Sequence, residues 1–208
     1  MPTPAALLKL VCGCVLLGAG VTLLLLAELG SDGFSTFVYG LAQSTGLPFV
    51  VANAVVSLGF ILMAWVRGVR PGVGTIAQIA IVGAVVDLGL STVPAPDELW
   101  ARSLLGIAAL PVLAVGIATY LGSHLGAGPM EAAALAWDPP LRFAWSYNAI
   151  QLISAVVGSL LGAPIGAGTI AVVVALGPMV TLAGRLLHLD VHQPGRTSSA
   201  EERAQTAS

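Results

Sequence analysis

Along this chain, apolar stretches about 20 residues long alternate with short segments that hold most of the polar and turn-forming residues. The apolar stretches predict six transmembrane helices, over 10–29, 48–66, 72–92, 103–121, 143–161 and 167–187. Each can cross a hydrocarbon core of about 30 Å as a helix. Two connectors break the rhythm. Between Gly30 and Leu47, Phe34, Phe37, Val38 and Leu41 recur at helical spacing with Ser35, Thr36 and Gln43 among them. This predicts a short amphipathic helix over 33–43, lying at the interface or dipping inward. The segment from Gly122 to Arg142 resembles the first connector and predicts a second short helix over 128–137. Pro48 suits the first turn of its helix, while Pro111 and Pro178 fall within spans and predict kinks. Residues 189–208 are polar and predict a disordered tail.

The pattern occurs twice. Arg70-Pro71-Gly72-Val73-Gly74-Thr75 is echoed by Pro164-Ile165-Gly166-Ala167-Gly168-Thr169. Gly74 and Gly168 are 94 positions apart, as are Gly83 and Gly177; Gly33 and Gly128, like Asn53 and Asn148, are 95 apart. Residues 1–95 and 96–188 therefore read as two units of one design: span, connector helix, span, Gly-x-Gly-Thr, span. Three spans is an odd number, so the second unit enters the membrane in the opposite sense. That is the order of an inverted-topology repeat.

Composition settles the class. Apolar residues make up 57% of the chain and charged residues 9%, against roughly 25% charged in soluble domains. Such a chain lacks the side chains to coat a soluble fold, so it reads as an all-α polytopic membrane protein. With six spans, Lys9, Arg67, Arg70, Arg142, Arg185, Arg196 and Arg203 fall on one side and only Arg102 on the other. That asymmetry predicts a bacterial plasma-membrane protein with both termini in the cytoplasm. The net charge of −2 and the lack of a basic stripe speak against a nucleic-acid partner. Cys12 and Cys14, two apart on one helix, point to different faces and predict neither a disulfide nor a shared metal.

Several short motifs resemble those of the bacterial YczE/YitT-like integral membrane proteins, closest to the YczE branch. They are Ser31-Asp32-Gly33-Phe34-Ser35-Thr36, Thr45-Gly46-Leu47, Arg70 to Thr75, and Gly126-Ala127-Gly128-Pro129-Met130-Glu131. The resemblance spans about Glu28 to Leu187 and implies mainly the architecture. The first half departs from the pattern, with Thr36 at the usual acid position. On this reading only Glu131 supplies that acid.

Ionisable and amide groups within membrane helices are costly, so each is a candidate. Asp87 reads as a proton- or cation-coupling carboxylate, or as a residue near the outer end of its span that reaches water. Glu131 reads as a site acid or as a first-turn acid that complements a helix dipole. Asn53, Gln78, Asn148 and Gln151 either contact a solute or bond a neighbouring helix. Gly72, Gly74, Gly166 and Gly168 predict tight turns, with Thr75 and Thr169 capping the helices that follow. The two motifs fall on opposite sides and so predict no common site. Gly158 and Gly162 form a Gly-x-x-x-Gly that predicts a close helix contact. His188, Asp190 and His192 lack preformed geometry and predict no metal site. No phosphate loop, nucleophile elbow or zinc-protease helix is present, which predicts no catalytic residue, no cofactor and no enzyme.

The expected function is transport of a small solute or ion, on architecture. An accessory or scaffold protein of the membrane is the alternative; an intramembrane enzyme lacks the needed constellations. The expected partners are the lipid bilayer and an unidentified small solute or ion, with a second copy of the chain as a further option. Transport requires Asp87, Gln78, Asn53, Asn148 or Gln151 to converge from both halves on one cavity.

Overall fold

A computed structural model describes residues 2–137 and 143–189. Among them, all regular structure is helical: α1 (Pro4–Ala27), α2 (Gly33–Thr45), α3 (Phe49–Val66), α4 (Val73–Thr92), α5 (Leu99–Leu121), α6 (Pro129–Leu135), α7 (Phe143–Leu160) and α8 (Ala167–Leu186). Arg142, Asp190, His192, Arg196, Arg203 and the expected disordered tail beyond Leu189 lie outside the described residues.

The element ends follow from local chemistry. Thr3 accepts the Ala6 amide at 3.2 Å and Pro4 occupies the first turn, so α1 begins earlier than hydropathy indicates. Asp32 accepts the Ser35 amide at 3.0 Å and starts α2. That helix ends at Gly46 in the left-handed conformation (φ 72°), which accounts for the Thr45-Gly46-Leu47 motif. Pro111 lies inside α5. At Pro178 the two arms of α8 diverge by 47°, because proline removes a rung and crowds the preceding turn.

Four helices, α1, α3, α4 and α5, are long and apolar enough to cross a membrane, and the bent α8 makes a fifth if its arms count as one. The expected sixth, α7, has the length but carries Ser146, Tyr147, Asn148, Gln151, Ser154 and Ser159 within 18 residues. Large apolar side chains, among them Leu58, Leu62, Ile76, Ile107, Leu152 and Val174, stand exposed around the bundle. Water would penalise such a surface; lipid would not. Chain and coordinates agree on a multi-pass membrane protein.

The core centres on the crossing of α1 and α5. A methyl at Gly20 would overlap Leu113, and one at Gly116 would overlap the backbone of Leu16 and Leu17. Leu17 and Leu113, like Gly20 and Gly116, are 96 positions apart, so the crossing uses corresponding residues of the two units. α1 also packs on α4, and α5 on α8. The connector helices are shared across the units: α2 packs on α7 and α3, and α6 on α3 and α7. Amphipathic α2 therefore dips inward, with Val38 and Gly40 buried, and Gly40 meets the Gly158 backbone. The expected Gly-x-x-x-Gly contact is made through Gly158; nothing lies within 4 Å of a methyl built at Gly162.

Candidate functional site

The starts of α2 and α6 face one internal chamber of about 70 Å³. Its polar lining is Asp32, Asn53, Gln78, Glu131, Tyr147 and Gln151, with Ser35 beside them. Leu17, Val21, Phe49, Val82, Leu113 and Leu176 supply much of the apolar wall. The groups come from both units, and contacts between the units fix them. The Gly33 amide donates to Gln151 Oε1 at 2.6 Å, tying the head of α2 to α7. A methyl at Gly33 would collide with the Gln151 backbone, so only glycine admits this approach. Across the chamber, Gly128 lies against the Gln78 amide and the Glu131 carboxyl in the same manner. Asn53 is 2% exposed and donates to the Ile79 carbonyl at 2.8 Å, which holds α3 to α4.

Four of the six candidates thus converge: Asn53, Gln78, Glu131 and Gln151. Asp87 does not. It is half-buried one turn from the end of α4 and lines a separate open cleft with Glu28, Tyr39, Gln43 and Ser91, the water-reaching position that was its alternative reading. Asn148, the counterpart of Asn53, is exposed on α7, and the wall positions near it are filled by Tyr147 and Gln151.

Sequence reasoning missed Asp32, Tyr147 and Tyr120. Glu131 is not the only acid available: Asp32, four positions before Thr36, reaches the same chamber. Thr36 is buried and bonded to Ser31 instead, Oγ to Oγ at 2.9 Å. Asp-Gly ahead of an amphipathic helix is an N-cap signal, and it marked the residue without marking its second role. Both carboxyls lie on connectors and are enclosed by protein while keeping contact with the chamber. Burial pushes each above its ordinary range, and Asp32 pushes Glu131 further in the same direction. Behind Glu131 sits Tyr120, 1% exposed. Its hydroxyl faces that carboxyl and favours its charged form, against the effect of burial. Gln151 Nε2 donates to the Tyr147 hydroxyl at 3.3 Å.

The paired glycine motifs meet the opposite unit's connector, not merely a neighbouring span. Gly74 N donates to the Leu125 carbonyl at 2.9 Å, and Gly168 N to the Leu29 carbonyl at 2.7 Å. Thr75 accepts the Gly72 amide at 3.2 Å, as a cap does, and donates to the Ala127 carbonyl at 2.6 Å. Thr169 Oγ1 is buried with no partner, so the second motif lacks this half of the latch. Methyls at Gly72 and Gly166 would press on the Leu125 and Leu29 carbonyls. Among the described residues no three His, Cys, Asp or Glu side chains gather as a metal site.

Comparison with known proteins gives a lineage without an activity. A protein of Haemophilus influenzae described as uncharacterised is 26% identical over 182 residues, covering 84% of this chain and 83% of the relative. The "uncharacterized membrane protein YczE" of Bacillus subtilis is 24% identical over 179 residues, covering 79% of each. No solved structure matches. Residues 5–185 match a family of unknown function, DUF6198, and the chain is a member of that family, with YczE among its relatives.

Proposed function

We propose that this protein transports a small solute or ion across the bacterial plasma membrane, through six spans arranged as two inverted three-helix repeats (1–95 and 96–188) with both termini cytoplasmic. The observation that carries the reading is the convergence of Asn53 and Gln78 from one unit with Glu131 and Gln151 from the other on a single chamber. A transport site at the interface of repeats, reached by broken or re-entrant helices, has this composition and place. Matched contacts at Gly20–Leu113 and Gly116–Leu17, and matched latches at Gly74–Leu125 and Gly168–Leu29, support the repeat relation. The 47° bend of α8 supplies an element able to flex.

The accessory reading is favoured by one observation, the chamber's small size of about 70 Å³. The two separate in proteoliposomes. Uptake of a panel of ions, amines, amides and amino acids is measured for the native chain, Glu131→Gln and Asp87→Asn. Transport predicts flux for at least one class, lost with Glu131→Gln and kept with Asp87→Asn. Folded protein that moves none of them supports the accessory reading.

A further inference from the structure

The chamber has a surplus of acceptors. Asp32 accepts the Ser35 amide at 3.0 Å, with the Ser35 hydroxyl and the Phe34 amide also favouring its charged form, and Glu131 lines the same chamber. Gln78 Oε1 is buried without a donor, and Gly128 brings it beside the Glu131 carboxyl. Among the described residues, no Lys, Arg or His lines the chamber. The titratable groups that face the pair are Tyr147 on α7 and Tyr120 on α5, with Cys14 of α1 behind Tyr120. None of these brings a positive charge. Tyr120, 1% exposed, is turned towards Glu131 and brings that carboxyl only a neutral hydroxyl. Buried polar atoms without partners are rare in native interiors, and each calls for an explanation. Helix capping explains only part of the arrangement, because Asn or Ser caps as well as Asp without a charge.

We propose that this chamber is a binding site for a small monovalent cation, an alkali-metal ion or ammonium, held between Asp32 and Glu131 with the Gln78 carbonyl as a further oxygen ligand. The inference rests on the transport reading for its purpose but not for its test. A monovalent ion suits the site because few oxygens are gathered there: the two carboxyls and the Gln78 carbonyl. A divalent ion would need more oxygen ligands than these.

The test is equilibrium binding of sodium, potassium and ammonium to the purified full chain in detergent, in a bulky-cation buffer at constant ionic strength. Saturable binding of at least one is expected, and it should weaken as the pH is lowered, because a proton and a cation compete for a carboxylate oxygen. Asp32→Asn keeps the cap on α2, and Asp32→Asn and Glu131→Gln each remove a charge at nearly constant shape. Each should weaken binding by more than about tenfold, and Asp87→Asn should leave it unchanged. Absence of saturable binding in the folded protein overturns the proposal. So does binding that survives both substitutions, or calcium or magnesium binding with none of the monovalent ions. If cations fail to bind while a neutral solute is transported, the inference falls and the transport reading stands; cation binding without flux of any kind gives the reverse.

Discussion

The Thr75 hydroxyl donates to the Ala127 carbonyl at 2.6 Å, so the head of α4 is fastened to the connector that leads into α6. The same oxygen accepts the Gly72 amide. Thr75→Val removes both bonds and leaves a donor and an acceptor without partners, at a cost of about 1–3 kcal/mol. Thr75→Ser should recover most of it. Thr169 has no such bond to lose, so Thr169→Val should fall within about 0.5 kcal/mol of native. Thermal unfolding of the four proteins in detergent measures the contrast, and equal losses at Thr75 and Thr169 would refute it.

Glycine has opposite meanings at two sites on these helices. At Gly116 a methyl would overlap the Leu16–Leu17 backbone, and backbone cannot swing aside. Gly116→Ala should therefore destabilise by about 1–3 kcal/mol through overpacking of the α1–α5 crossing. Gly59 lies within α3 with nothing inside 4 Å of the added methyl. Gly59→Ala should be neutral or stabilising by up to about 1 kcal/mol, from helix propensity alone. Chemical denaturation of both variants gives the sign directly.

Helix positions were legible because hydropathy and turn chemistry are local: α3, α4, α7 and α8 begin or end within a residue or two of the apolar runs. The partners of the repeated motif were not legible. Gly74 and Gly168 read as turns between consecutive spans, whereas each amide bonds a connector far away in sequence, and no local pattern encodes that. The candidate site divided along the same line. Polar groups within spans were visible from their cost in an apolar run, and three of those five came together, joined by Glu131 from a connector. Asp87 was visible for the same reason, but depth along a helix is poorly resolved by sequence. Asp32 lay in plain view as a cap, and its second role depends on where α2 points.

Gln151 carries the cross-unit bond to Gly33 at 2.6 Å. Replacing it with leucine keeps the bulk and orphans the Gly33 amide, so α2 should lose about 1–3 kcal/mol of its anchorage. The expected readout is faster hydrogen exchange in α2, with the α1–α5 core unaffected. Exchange that accelerates evenly over the whole chain would instead indicate a global loss unrelated to this bond.

The buried acids make stability depend on pH in a direction that can be fixed in advance. Asp32 and Glu131 have folded-state pKa values above their ordinary 3.8 and 4.5, chiefly because burial penalises the charged form. The folded chain then binds protons more strongly than the unfolded chain, so these groups favour folding most at low pH. Their contribution is fully present below the ordinary values and is lost as pH rises through the raised ones. In a buffer without small cations, the unfolding temperature should accordingly fall as pH rises above the ordinary carboxylate range. Asp32→Asn and Glu131→Gln each remove part of that slope, and the double substitution should flatten it. A native slope that rises with pH, or one that the double substitution leaves unchanged, would mean that these carboxyls are not the protons being counted. Adding the cation that binds should restore stability chiefly at the alkaline end, since there it replaces the proton the pair has lost.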